Sequence, residues 1–161
     1  MRTNYETLPD NSKVWIYPAN RKFYPQEISE IRSKIEIFLK NWTQETTSVS
    51  SKYALFYDRF IVIFTSPELI LKTGTIDQLV SFILELQQAY DLELLDKMNV
   101  CFKQGTHVQY KELKSFKQLI KNRSVNRNTI VFDNRVATKN EFDDFWEIPA
   151  SESWYDHLFQ K

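Results

Sequence analysis

The sequence predicts an α+β fold, and three observations lead to this class. Runs rich in aromatic and β-branched residues alternate with stretches whose apolar residues recur every three or four positions. The 161 residues are 42% hydrophobic and 15% aromatic, which is ample material for a packed core. The chain has two glycines, Gly74 and Gly105, and both fall at the ends of predicted elements.

Residues 1–105 are predicted to form one body. Its elements are strand 13–19, helix 24–42, strands 53–57 and 60–64, helix 75–90 and strand 97–103. This order is that of the split βαβ, or ferredoxin-like, arrangement, in which two helices cover one face of a four-stranded antiparallel sheet.

Local signals support the limits of several of these elements. Pro25 favours the first turn of a helix. Asp58 and Arg59 form the polar break between two apolar strands, which predicts a tight antiparallel turn. Thr75 and Gln78 have the spacing of a capping box at the second helix.

Residues 106–161 are predicted to form a small α/β module that packs on the body. Leu113, Phe116 and Leu119 have helical spacing, "NTIVF" predicts a strand, and a short helix begins near Lys139 and ends by Pro149.

The sequence disfavours several classes of enzyme. Two glycines are too few for a P-loop or a GxGxxG loop, and GxSxG, HExxH and CxxC are absent, so no catalytic residue and no cofactor is predicted. His107 and His157 stand far apart without a motif, so no metal site is predicted. Cys101, in an apolar context, is expected to be a buried, inert thiol.

Charge and hydropathy limit the partners. Lys+Arg and Asp+Glu both number 21, so no net field attracts nucleic acid or an anionic membrane. The chain lacks an apolar signal region and any run near the roughly 20 apolar residues of a membrane span, so we expect a cytoplasmic protein. Residues 111–139 carry eight basic and two acidic side chains, whereas residues 140–160 carry six acids and no Lys or Arg. The acidic segment is expected to fold back near the basic helix.

The favoured function is non-catalytic binding or scaffolding, with a protein, a peptide or a second copy as the partner. The closing segment "EFDDFWEIPASESWYDHLF" holds the aromatic candidates Phe145, Trp146, Trp154 and Tyr155. A charged rim is predicted from Lys114, Lys117 and Lys121. Solvent accessibility of the aromatic side chains decides between a docking surface and a core.

Two alternatives stay open at this stage. One is a small-molecule or enzyme site where the body meets the module, built from Tyr17, Arg21, Asp58 and Arg59. The other is binding of single-stranded RNA on an uncovered sheet that exposes Phe60 and Phe64. The second is disfavoured because the basic-Gly-aromatic pattern of such sheets is absent.

Two family resemblances add to these predictions. The segments "VWIY.A.RKF", "YDRFIVIF", "LLDKMNVCF", "FKQLIKN", "NTIVFDN.V.TKNEF" and "W.IPA.ESW" resemble a family of short bacterial proteins of unknown function, often labelled "ABC transporter ATPase". The missing P-loop argues against ATPase activity here.

The second resemblance covers the C-terminal third. "ELKSFKQLIKNRSVNRNTIVF" followed by "FWEIPASES" is similar to a GYF-type domain of the bacterial subclass. It implies a core helix that carries Leu113, Phe116, Leu119 and Ile120, a strand at Val131–Phe132, and Trp146 as the late aromatic residue. It also implies a module that recognises Pro-rich or other extended peptides on an aromatic surface.

Overall fold

Residues 5–159 are described by a computed structural model, and the chain forms two units, Met1–Leu95 and Asp96–Lys161. Each unit combines helices with an antiparallel sheet, so the α+β class is confirmed. The division falls between Leu95 and Asp96, earlier in the chain than the boundary after Gly105 that the sequence predicts. None of the helices within residues 5–159 is long and apolar enough to cross a membrane.

The first unit is built on a three-stranded antiparallel sheet in the order β1-β5-β4. Its elements are β1 (Lys13–Pro18), α1 (Pro25–Asn41), β2 (Thr43–Gln44), β3 (Thr47–Ser48), β4 (Ser51–Phe56), β5 (Phe60–Thr65) and α2 (Thr73–Tyr90), preceded by a 3₁₀ turn at Tyr5–Thr7. Phe56 pairs with Phe60, so the predicted tight turn is confirmed. Tyr57 and Asp58 adopt φ values of 54° and 53° to make it.

The core of this unit lies between the sheet and both helices. Every residue of the central strand β5 is buried. Ile61 and Ile63 pack in one cluster with Ile35 of α1 and Leu79 of α2. Because side chains alternate along a strand, Phe60 and Phe64 face the opposite side of the sheet, and Tyr5 stacks on Phe64 at 4.6 Å between ring centres.

The two helices begin differently. Pro25 stands in the first turn of α1, as predicted, and the Glu27 carboxylate accepts a hydrogen bond from the Tyr24 N–H at 2.8 Å. The capping box predicted at Thr75 and Gln78 is wrong, because α2 begins at Thr73 and Thr75 already lies inside its first turn. The Thr75 hydroxyl instead donates to the Gln44 side-chain carbonyl at 2.7 Å.

The second unit is built on a four-stranded antiparallel sheet in the order β7-β6-β8-β9. Its elements are β6 (Val100–Gln104), β7 (His107–Lys111), α3 (Leu113–Lys121), β8 (Ile130–Phe132), α4 (Lys139–Phe145) and β9 (Glu147–Pro149), followed by 3₁₀ turns at Ala150–Glu152 and Trp154–Phe159. Phe102, Phe116, Val131 and Tyr155 form its core with their neighbours.

The ferredoxin-like arrangement is not confirmed, because the predicted fourth strand belongs to this second sheet. β6 pairs with β7 along its whole length, from Val100↔Lys111 to Gln104↔His107. Gly105, with φ of 63°, makes the tight turn between them. A partner only two residues away along the chain costs little loop entropy, which favours this hairpin over a pairing with the distant β1.

Candidate functional site

An open pocket of about 330 Å³ in the second unit brings two of the predicted aromatic residues together. It is named here the aromatic pocket, and it is lined by Asp133, Arg135, Val136, Glu141, Phe145 and Trp154. Phe145 is 52% exposed and Trp154 is 45% exposed. The solvent accessibility that docking requires is therefore present at both of these side chains.

Helix α4 supplies one wall of the pocket. Thr138 caps its first turn by accepting a hydrogen bond from the Glu141 N–H at 3.3 Å. The Glu141 carboxylate in return accepts from the Thr138 N–H at 3.3 Å, and it also accepts from the Ala137 N–H at 2.8 Å. This capping box fixes the phase of the helix, so that Glu141 and Phe145, one turn apart, line the same pocket.

The loop after β8 holds the opposite wall. The Asp133 carboxylate accepts the Arg135 N–H at 3.2 Å through Oδ1 and the Trp154 N–H at 3.0 Å through Oδ2. The Asp133 carboxylate thus links Trp154 to the end of β8, 21 positions earlier in the sequence. Both acids of the pocket accept backbone hydrogen bonds that hold its walls.

The half-exposed indole of Trp154 contacts an arginine and a histidine. The Arg135 guanidinium carbon lies 5.2 Å from its ring centre, and the His157 ring meets it edge-on at 4.9 Å. Among the residues that the structure describes, none accepts a hydrogen bond from Trp154 Nε1. That N–H can donate to a ligand.

The other two predicted aromatic residues belong to the core. Trp146 is 4% exposed, and its ring packs on Phe142 at 4.7 Å and on Phe132 at 4.8 Å. Tyr155 is buried against Phe116, with 5.9 Å between ring centres, and burial raises the pKa of its hydroxyl. Neither side chain is available to a partner at the surface of this unit.

The predicted lysine rim does not reach the pocket. Lys114, Lys117 and Lys121 are exposed on α3 but are not among the pocket residues. Arg135 is the cation that lines it.

The acids of the closing segment pair with bases other than the α3 lysines. Glu147 pairs with Lys103 at 2.7 Å, Asp143 with Lys139 at 3.0 Å and Asp156 with Arg127 at 3.7 Å. Among the described residues, the α3 lysines make no ion pair. Some acids of the closing segment are therefore paired with bases, as expected, but none of these bases lies on α3.

The alternative small-molecule residues differ in their surroundings. Tyr17 and Arg59 are buried, and burial raises the pKa of Tyr17 to about 12. Arg21 pairs with Glu27 at 3.0 Å and donates to the Tyr90 carbonyl at 2.7 Å. Asp58 is exposed in the β4–β5 turn. A site where body and module meet stays a prediction.

The stacking platform required by the RNA alternative is absent from β5. Phe60 and Phe64 are fully buried, so the expectation that they are exposed is wrong. A base cannot stack on a ring that the fold already covers.

Metal-binding and thiol chemistry receive little support. Within residues 5–159, no group of three or more His, Cys, Asp or Glu side chains is placed to hold a metal ion. Cys101 is buried in β6, as expected. His157 is committed to the Trp154 carbonyl at 2.7 Å.

Four pocket residues escaped sequence reasoning: Asp133, Arg135, Val136 and Glu141. The available signal was Thr138-Lys-Asn-Glu141, a capping-box pattern immediately before an apolar residue. It places the start of the helix at Lys139 and therefore puts Glu141 and Phe145 on one face. The contact of Asp133 with Trp154 has no local signature, because it joins distant parts of the sequence.

Comparison with known proteins identifies no relative. No protein-family model, no curated protein and no solved structure matches the chain. The two resemblances suggested by the sequence remain predictions.

Proposed function

We propose that the second unit is a GYF-like module that binds an extended, proline-containing peptide in the aromatic pocket. The single observation that carries the proposal is the shared pocket of Phe145 and Trp154, two exposed aromatic side chains on separately anchored segments. Exposed aromatic side chains that converge in a concavity are typical of binding sites.

The chemistry of the pocket suits this kind of ligand. Proline-rich segments adopt the polyproline II helix, which has no internal hydrogen bonds and offers ring faces and free carbonyls. Aromatic faces take up the rings, and a donor such as Trp154 Nε1 fixes a carbonyl. Phe145 and Trp154 supply the faces, and the two wall carboxylates are held in place by backbone N–H groups.

A rigid wall also favours binding. The backbone N–H of Trp154 is fixed by Asp133, and α4 begins with a full capping box. Little conformational entropy is then lost when a ligand enters, so modest contacts can yield measurable affinity.

A titration with defined peptides tests the proposal. The full chain, labelled with ¹⁵N, is titrated with a proline-rich decapeptide and with a Gly/Ser decapeptide of equal length and charge. We expect the proline-rich peptide alone to shift the Trp154 indole N–H resonance, and Trp154→Ala to weaken binding by at least about tenfold, as loss of an aromatic anchor does.

Tyr24→Ala is the matched control, because Tyr24 is another aromatic residue that is 52% exposed, and it lies in the first unit. It should leave the affinity unchanged. The proposal fails if a proline-rich peptide leaves the Trp154 signal in place, or if the Trp154 and Tyr24 variants lose affinity equally.

A further inference from the structure

We infer that the outer groove between α1 and α2 is the interface of a two-fold homodimer. In this dimer, Ile37 of each copy enters the groove of the other. The interface lies on the first unit and is independent of the peptide pocket proposed for the second.

The two helices run antiparallel and leave a groove between them. Three contacts follow one another along α1. Lys34 Nζ lies 4.7 Å from the Tyr90 ring centre, and the ring centres of Phe38 and Phe82 are 4.5 Å apart. Trp42 Nε1 donates to the Thr75 carbonyl at 3.0 Å. Residue numbers rise along α1 while those of the partners on α2 fall, so the two helices are antiparallel. The stacked rings of Phe38 and Phe82 form the floor.

The groove is longer than a single small pocket. Two adjoining cavities, of about 410 Å³ and about 550 Å³, share Phe38, Phe82 and Glu85. The first extends toward Ala89 and the second toward Gly74, so the groove follows most of α2. That length matches a packed helix better than a small molecule.

The same face carries both a projection and a recess. Ile37 borders the groove and is 63% exposed, a large apolar side chain that water contacts in the isolated chain. A two-fold interface needs both complementary parts on one surface, because each copy presents the same patch. Ile37 beside the Phe38–Phe82 floor satisfies that condition.

The charges on the walls are also self-complementary. Lys34 stands on the α1 wall, and Glu85 stands on the α2 wall. The charged residues of α2 are Asp77 and Glu85, with no Lys or Arg. Among the described residues, neither acid makes an ion pair. A two-fold axis that places α1 of one copy against α2 of the other brings Lys34 toward Glu85 twice.

These charges favour a second copy over an anionic occupant. An anionic membrane surface or a nucleic acid would meet the carboxylates of the α2 wall and be repelled. In the dimer, Lys34 of the second copy faces the acidic wall, and Ile37 of the second copy fills the recess.

A charge-swap experiment tests the dimer. Sedimentation equilibrium of the full chain, from about 5 μM to about 500 μM, should show a monomer–dimer equilibrium whose dissociation constant lies within this concentration range. Lys34→Glu alone and Glu85→Lys alone should each raise the dimer dissociation constant by about tenfold or more, because like charges then face each other. The double variant should return it to within about threefold of the starting value.

Apolar variants supply the second arm. Ile37→Glu should abolish the dimer, whereas Ile70→Glu should not, because Ile70 is 87% exposed but lies outside the groove lining. Circular dichroism confirms that each variant is folded, and Ile37→Ser replaces Ile37→Glu if that variant unfolds. A monomer throughout the concentration range, a dimer that tolerates the Ile37 change, or a double swap without recovery overturns the inference.

Discussion

Trp146 Nε1 donates a hydrogen bond to Asn134 Oδ1 at 2.8 Å, which ties the end of α4 to the loop that follows β8. The Trp146 carbonyl accepts the Asp133 N–H at 2.7 Å on the same loop. Through both contacts Trp146 fixes the loop whose next residues line the aromatic pocket. Trp154, eight positions later in the sequence, is instead one of the pocket walls.

We predict that Trp146→Ala and Trp154→Ala differ sharply in stability. Loss of the buried Trp146 ring should lower the free energy of unfolding by about 3–5 kcal/mol, because a large cavity remains. Loss of the half-exposed Trp154 ring should cost about 1 kcal/mol or less. Urea unfolding followed by circular dichroism measures both. Equal losses of unfolding free energy would show that Trp154 is a core residue and would contradict its assignment as a wall of the aromatic pocket.

A second prediction concerns Gln44, whose side chain joins three points in the first unit. Its carbonyl accepts from the Lys72 N–H and from the Thr75 hydroxyl, both at 2.7 Å, and its amide donates to the Ile70 carbonyl at 3.1 Å. Gln44→Leu keeps the approximate volume and removes all three bonds. The unfolding free energy should fall by about 2–4 kcal/mol, since polar groups are left without these partners.

Gln88→Leu is the matched control for Gln44, because Gln88 is exposed on α2. It should change stability by about 0.5 kcal/mol or less. A Gln44 variant as stable as the Gln88 variant would mean that water replaces the lost partners. Thermal unfolding of both variants at one pH makes the comparison.

The sequence predicted the elements that local pattern determines. Helix α1 followed from apolar residues at three- and four-residue steps and from Pro25, and the β4–β5 turn followed from Asp58 between two apolar runs. The partner of β6 was not predicted, because the strands of the first sheet and the segment after Gly105 were both possible partners. The alternation from His107 to Lys111 after Gly105 was the missed signal for the hairpin.

The candidate site was predicted only in part, for a related reason. Four aromatic residues of the closing segment were evident in the sequence, but for Phe145 and Trp146 the division between surface and core depends on which face of α4 is buried. A start at Lys139 puts Phe142 and Trp146 on the buried face and Phe145 on the pocket face. The sequence predicted the start of this helix near Lys139 but not which of its faces is buried, so the positions of Trp146 and Phe145 stayed undecided.

A third prediction is a pH dependence at Glu27. The hydrogen bond from Arg21 holds the pKa of the Glu27 carboxyl below its usual range, and the Tyr24 N–H adds to this effect. Because the pKa is lower in the folded state, this contribution to stability is present above the unfolded pKa of about 4.3 and is lost as pH falls through the folded value. Glu27→Gln should therefore cost about 1 kcal/mol at neutral pH and almost nothing in strong acid.

Urea unfolding at neutral and acid pH measures the Glu27 effect, with Glu68→Gln as the control. Glu68 is exposed and, among the described residues, makes no ion pair. Its variant should follow the stability of the unchanged chain at both pH values. A Glu27→Gln penalty that persists in strong acid would mean that the side chain acts through packing rather than charge.

A fourth prediction concerns Asp91, which ends α2 in the left-handed conformation with φ of 53° and ψ of 53°. The next residue, Leu92, is buried and donates its N–H to the Gln87 carbonyl at 3.0 Å, so the chain must turn at Asp91 to close the helix. Glycine has no Cβ to strain in this conformation, and the substitution also removes a carboxylate from the negative end of the helix dipole. Asp91→Gly should therefore raise the free energy of unfolding by about 0.5–1 kcal/mol, even though glycine adds freedom to the unfolded chain.

Two companion variants separate the causes of the Asp91 effect. Asp91→Asn removes the charge but keeps a side chain that tolerates the left-handed region, so it should give about half of the gain. Asp91→Ala removes the charge but keeps the strain of a Cβ, and it should be about 1 kcal/mol less stable than the glycine variant. Melting temperatures of the four proteins rank them. If the alanine variant equals the glycine variant, backbone strain is not stored at this position, and the gain belongs to the dipole alone.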